Sequence, residues 1–86
     1  MKRTERPPAI NLTGERIKQA RRKRGLSQAG LSGKLELLPV YICRGSISRI
    51  ENGTRLVSDV EIDAISKVLQ VPLDYLFGRS DEMTEE

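Results

Sequence analysis

Gly25-Leu26-Ser27-Gln28-Ala29-Gly30-Leu31 and, further on, Ser46-Ile47-Ser48-Arg49-Ile50-Glu51-Asn52-Gly53 are the two stretches on which the fold of this chain turns. Gly25 fits a left-handed helix stop, with Leu26 as the hydrophobic residue that follows it. Ser27 is a competent N-cap, so a helix is predicted from Gln28 to about Leu37. Leu31, Leu35 and Leu38 fall at helical spacing on one of its faces. Gly30 and Gly33 lie inside it at a cost of roughly 1 kcal/mol each relative to Ala, and Pro39 ends it. The later stretch predicts a short helix from about Gly45 to Glu51. Ile47 and Ile50 point inward at i, i+3, while Ser46, Ser48 and Arg49 point elsewhere. Asn52-Gly53 is a strong stop. The connection between the two, residues 39–45, has apolar content. Val40 and Ile42 can tuck into the core there, and a short extended piece fits the pattern.

Working outward, an earlier helix starts near Asn11 or Thr13, with Glu15 favourable in its first turn. Its buried stripe is Ile10 or Leu12, then Ile17, Ala20 and the stem of Arg21. The basic run Arg21–Arg24 completes its last turn, where cations suit the helix dipole. After the central pair, Ser58 and Glu61 form a capping box ahead of an apolar stripe of Ile62, Ile65 and Leu69, with Val68 beside it. Pro72 suits the first position of a short fifth helix, Pro72–Phe77, stopped by Gly78. Leu73, Leu76 and Phe77 are expected to close the core. The expected organisation is a flexible basic arm over residues 1–10, one domain over 11–78, and an acidic disordered tail over 79–86. The arm either lies along phosphates or has no role.

Composition narrows the function. The 86 residues are 37% hydrophobic, enough for one small core, and only 3% aromatic, so that core is expected to be aliphatic. Without His there is no His-based acid–base pair and no His metal ligand. The single Cys43 closes neither an intramolecular disulfide nor a cysteine metal cage. No apolar run approaches the roughly 20 residues of a membrane span and no signal-peptide pattern opens the chain. A small soluble cytoplasmic binder is expected: no enzyme, no cofactor, no metal, no membrane and no small-molecule substrate. Charge is lopsided within the net +3. Residues 1–25 hold nine basic side chains against Glu5 and Glu15, whereas residues 59–86 hold Lys67 and Arg79 against eight acids. A basic front and an acidic back point to a polyanion met by one side, although a basic first helix can equally be a solvated face.

Two short helices joined by a turn, the second with an exposed polar face, fit a helix-turn-helix, whose second helix enters the roughly 12 Å major groove of DNA. Gly14-Glu15-Arg16-Ile17, Gly25-Leu26-Ser27-Gln28, Leu31, Leu35, Ser46–Gly53 and Leu69-Gln70-Val71-Pro72-Leu73-Asp74-Tyr75-Leu76 together resemble the phage-repressor and Cro-like (Xre-type) helix-turn-helix family over residues 12–78. The resemblance implies an all-α, compact five-helix bundle of the lambda-repressor-like DNA-binding type. It also implies a transcriptional regulator, most often a repressor, acting as a homodimer on double-stranded DNA.

Carried over by position, the resemblance assigns base reading to Arg44, Gly45, Ser46 and Arg49. Gly45 offers only close backbone approach, and Arg49 is the candidate for a bidentate contact to guanine. Phosphate contacts fall to Gln28, Ser48, Asn52, Thr54 and Arg55. Arg21 and Glu51 match a structural ion pair between the first and third helices. The chain departs from the pattern in three places. The interval from Leu35 to Ile47 is longer than the usual tight turn and lacks its glycine, so Leu37–Cys43 must loop out. Cys43 stands where a capping Ser or Asp is expected, as either an inert, buried thiol or a redox-sensing one. Ser32 takes the place of a usual Ala where the motif helices cross.

Pairing is expected because one recognition helix reads only a few base pairs. Leu73, Leu76 and Phe77 serve either such an interface or the core. A second reading takes the scaffold as a protein-interaction module, an antitoxin or small adaptor, using the apolar turn Leu37–Ile42 and the acidic tail.

Overall fold

Three helices begin at a side chain that takes one of their first amides, and these starts set much of the element order. The computed structural model describes residues 8–83. It contains α1 (Gly14–Lys23), α2 (Gln28–Leu35), α3 (Arg44–Glu51), α4 (Asp59–Leu69) and α5 (Leu73–Leu76), with no strand among the described residues. The all-α five-helix architecture is the one the sequence predicts. Asn11 supplies the acceptor for α1: its Oδ1 accepts from the amides of Thr13 (3.2 Å) and Gly14 (2.7 Å). Ser27 Oγ accepts from the Gly30 amide at the start of α2 (2.9 Å). Both halves of the capping box form on α4, Glu61 N–H to Ser58 Oγ and Ser58 N–H to Glu61 Oε1. Pro72 stands one residue earlier than expected, as the N-cap of α5, because its ψ of 154° is extended and its carbonyl already accepts from Tyr75 and Leu76.

The stops are equally local. Gly25 and Gly53 take left-handed φ values of 74° and 81°. In each case the glycine's own amide and the next one fold back on the last turn: Gly25 N–H to Arg22 O and Leu26 N–H to Arg21 O after α1, Gly53 N–H to Ile50 O and Thr54 N–H to Arg49 O after α3. α2 ends at Leu35, earlier than the expected Leu37, and a turn then leads to Pro39.

α1 packs on α3, α4 and α5, and α2 packs on α3 and α4. Their shared interior holds Ile17, Ala20, Leu31, Leu35, Ile47, Ile50, Ile62, Ile65, Leu69 and Leu76. Several expectations are corrected. Ile10 and Leu12 are exposed, because they precede the first turn of α1 and the helical period does not reach them. Leu38 lies beyond the end of α2 and is also exposed. Leu73 and Phe77 are exposed, and Tyr75 is buried in their place. The core is therefore not purely aliphatic. Tyr75 O–H donates to Gln19 Oε1 (3.2 Å), and the Arg16 guanidinium lies 4.5 Å from its ring centroid.

The long turn, residues 36–43, loops out at Leu37 and Tyr41 and turns back in at Ile42, which is 2% exposed. Ser32, at the helix crossing, is buried and donates its hydroxyl to the Ile42 carbonyl (2.7 Å). No extended piece forms there. Of the segment expected to be a disordered tail, residues 79–83 pack back on the fold. Arg16 donates to Ser80 O (3.2 Å) and Asp81 Oδ1 (2.7 Å), and Met83 lies against the core. Residues 84–86, and residues 1–7 of the expected arm, lie outside the described residues.

Candidate nucleic-acid interface

α3 is two-sided. Ile47, Ile50 and Glu51 are buried, whereas Arg44, Gly45 and Arg49 are exposed, with Ser46 and Ser48 half-buried. The four proposed base-reading positions thus belong to one short helix whose other face is fixed in the core. Arg49 folds back along that helix: its Nη2 donates to Ser46 Oγ (3.1 Å), and a Cβ on Gly45 would meet its Nη1 at 3.8 Å. The guanidinium therefore lies near the start of α3, one turn before its own Cα and beside Gly45.

Glu51 anchors α3 from within. Arg21 Nε donates to Glu51 Oε2 (2.6 Å) and Arg21 Nη2 to Glu51 Oε1 (2.9 Å), with the two side chains 8% and 2% exposed. Glu51 raises the pKa of the Arg21 guanidinium further. Arg21 also donates to the Leu26 carbonyl (2.8 Å), tying the α1–α2 turn into the pair. Losing one partner of such a pair leaves an uncompensated buried charge, at a cost of about 3–5 kcal/mol.

The positions proposed for phosphate are arranged less uniformly. Gln28 opens α2, and its Nε2 donates to Glu51 Oε1 (3.0 Å). Asn52 is exposed and caps the end of α3 with its backbone. The Thr54 hydroxyl donates to the Arg49 carbonyl (3.2 Å). Arg55 is turned toward α4: Nη1 and Nη2 each lie 3.1 Å from a Glu61 oxygen, and Nη1 also donates to Leu56 O. The Arg55 hydrogen bonds hold the Glu61 carboxyl below its usual range, helped by the Ser58 amide.

The basic front is likewise divided. Arg16, Arg21 and Arg24 all serve the fold; Arg24 donates to the carbonyls of Leu69 (2.7 Å) and Gln70 (2.9 Å) at the end of α4. Arg22 and Lys23 remain exposed. Lys2, Arg3 and Arg6 lie outside the described residues.

Cys43 precedes α3 and is exposed rather than buried. Its thiol contacts Ser46 Oγ (3.3 Å) and caps no amide. The Ser46 hydroxyl, then the Ser46 and Gly45 amides and the Arg49 charge, lower its pKa from the usual 9.0. Among the described residues no group of His, Cys, Asp and Glu is placed to hold a metal, and no helix is long and apolar enough to cross a membrane.

Two participants were not visible as such in the sequence. Asn11 Nδ2 donates to Ile50 O (3.0 Å) and Arg55 O (2.8 Å), pinning the end of α3 to the start of α1. Glu61 engages Arg55 from the capping box. Both side chains were legible as caps, but their second partners are distant in sequence.

An inward-anchored α3 presenting arginines, preceded by a capped α2, defines a helix-turn-helix protein. A family model described as helix-turn-helix matches residues 17–76, from α1 to α5. The chain belongs to that family, of the Cro/C1 (Xre-like) type, and is a DNA-binding regulator of transcription. No curated protein and no solved structure gave a match.

Proposed function

We propose that the chain is a sequence-specific regulator, a repressor in its simplest mode of action, which lays α3 in the major groove of double-stranded DNA. The observation that carries this reading is the two-sidedness of α3, with Arg44 and Arg49 exposed opposite Ile47, Ile50 and Glu51. Arg44 and Arg49 read base edges, with Gly45 and Ser46 at the same helix start. Gln28, Ser48, Asn52, Thr54 and Arg55 hold the phosphates on either side. The first amides of α2, which have no intrahelical acceptor, favour an anion at the same place. A site overlapping a promoter would block transcription by occupancy, and the place of action is then the cytoplasm, with the genome.

The same reading takes the active form as a homodimer, since one short helix covers only a few base pairs. Leu76 is fully buried and is withdrawn from that interface. Ile10, Leu12, Leu56 and Phe77, exposed around one apolar cleft, support a second copy better.

Selection of bound duplexes from a random pool, followed by gel shifts, tests the proposal. Arg49→Ala is expected to relax preference at one guanine by about 1–3 kcal/mol, and Asn52→Ala to weaken all sequences alike. Uniform loss on every sequence for Arg49→Ala would refute the base-reading role. The exposure of Leu37 and Tyr41 in the long turn favours the second reading, a protein-interaction module. Leu37→Ser with Tyr41→Ser is expected to leave DNA affinity unchanged, and a loss of specific binding would place the turn within the DNA interface.

A further inference from the structure

Glu51 accepts more hydrogen bonds than an ion pair requires. Arg21 alone occupies both of its oxygens in a fork, the arrangement that satisfies a buried carboxylate. A third donor nevertheless arrives from a different helix: Gln28 Nε2 at 3.0 Å, on Oε1. An ionised carboxylate only accepts, so it forces the nitrogen end of the Gln28 amide toward itself. One amide N–H is thereby committed to Glu51. The other is the one side-chain donor Gln28 has left, at the residue that begins α2. Gln28 itself is half-buried and Glu51 is buried, so the arrangement is shielded from competing water.

We infer that Glu51 is a positioning residue for DNA binding. Resting on the DNA-binding reading above, it orients the Gln28 amide so that the remaining N–H is presented to a backbone phosphate. Because the same carboxylate belongs to α3 and is forked by α1, it sets the phosphate grip of α2 at a fixed place relative to the reading helix. Glu51 touches no DNA; it acts through Gln28. A merely structural Glu51 would close the Arg21 pair and leave the amide indifferent.

The test is a double-mutant cycle in DNA affinity on a selected duplex, with wild type, Glu51→Gln, Gln28→Ala and the double variant, each checked for folding by circular dichroism. Each single variant is expected to weaken binding about tenfold. In the Gln28→Ala background, Glu51→Gln is expected to cost little more. Fully additive losses would overturn the proposal while leaving DNA binding standing. Failure of the wild-type protein to bind any duplex would instead remove the reading on which the proposal rests.

Should Glu51→Gln fail to fold, the side-chain amide protons of Gln28 in the wild-type protein decide by NMR. One is expected to be shifted downfield before DNA is added, and the other to move when duplex is added. Two protons at free-glutamine positions before addition, or both moving together after it, would defeat the idea.

Discussion

Asn11 does two jobs with one side chain. Its oxygen caps α1, and its nitrogen bonds the Ile50 carbonyl at the end of α3 and the Arg55 carbonyl in the segment that follows. Thr13 holds the N-cap position by backbone geometry, yet its hydroxyl is buried with no partner among the described residues. Asn11→Ala is therefore expected to cost about 2–3 kcal/mol in chemical denaturation, above the ~1 kcal/mol of an ordinary cap, because carbonyls lose their donor as well. At Cys43 the neighbouring Ser46 hydroxyl is the largest of the groups that favour the thiolate. The rate of alkylation is expected to rise through a midpoint below pH 9.0, and Ser46→Ala to move that midpoint back upward. An unchanged midpoint in Ser46→Ala would remove Ser46 as the cause.

Among the elements, the segment from Thr54 to Glu61 combines a helix start with a salt bridge. Glu61 bonds the Ser58 amide and takes both arms of Arg55, with its side chain 18% exposed. Its folded pKa lies below the usual 4.5, so the folded state favours the carboxylate. That stability is complete above about pH 4.5 and is lost as pH falls through the depressed folded value. Melting temperatures taken between pH 6 and 3 are expected to fall more steeply for the wild type than for Glu61→Gln; parallel curves would exclude the linkage. On the proposed reading, Arg55 would meet a phosphate only with the donors that Glu61 and Leu56 leave, so its contribution to DNA affinity is expected to depend on Glu61.

For the whole molecule, the spacing of α1 and α3 is set by a missing side chain. A Cβ on Gly14 would overlap the Ile50 carbonyl oxygen, whereas a Cβ on Gly33 would meet nothing. Gly14→Ala is expected to destabilise by about 1–3 kcal/mol through forced separation of the helices. Gly33→Ala is expected to stabilise by up to about 1 kcal/mol through helix propensity. Thermal melts of the two variants should move in opposite directions. Since Arg21 on α1 and Glu51 on α3 cross this same gap, Gly14→Ala is also expected to weaken DNA binding beyond its effect on stability.

Much of this was legible in the chain itself. The stops at Gly25 and Gly53, the cap at Ser27, the box at Ser58 and Glu61, and the inward Ile47 and Ile50 are all local. A cap or a helical period involves residues a few positions apart, so the sequence contains both partners side by side. The family motif added the candidate reading positions. What the sequence left open were choices between distant neighbours. Tyr75 rather than Leu73 or Phe77 enters the core because α5 is one short turn lying against α1. Cys43 is exposed because Ile42, held by Ser32, takes the inward place in the turn. The family motif had already set Arg21 apart as the partner of Glu51, but nothing in the sequence marked Arg16, Arg24 and Arg55 as cations that hold the fold. Only the tertiary structure decided that they do, because a charge finds its partner through space and not along the backbone.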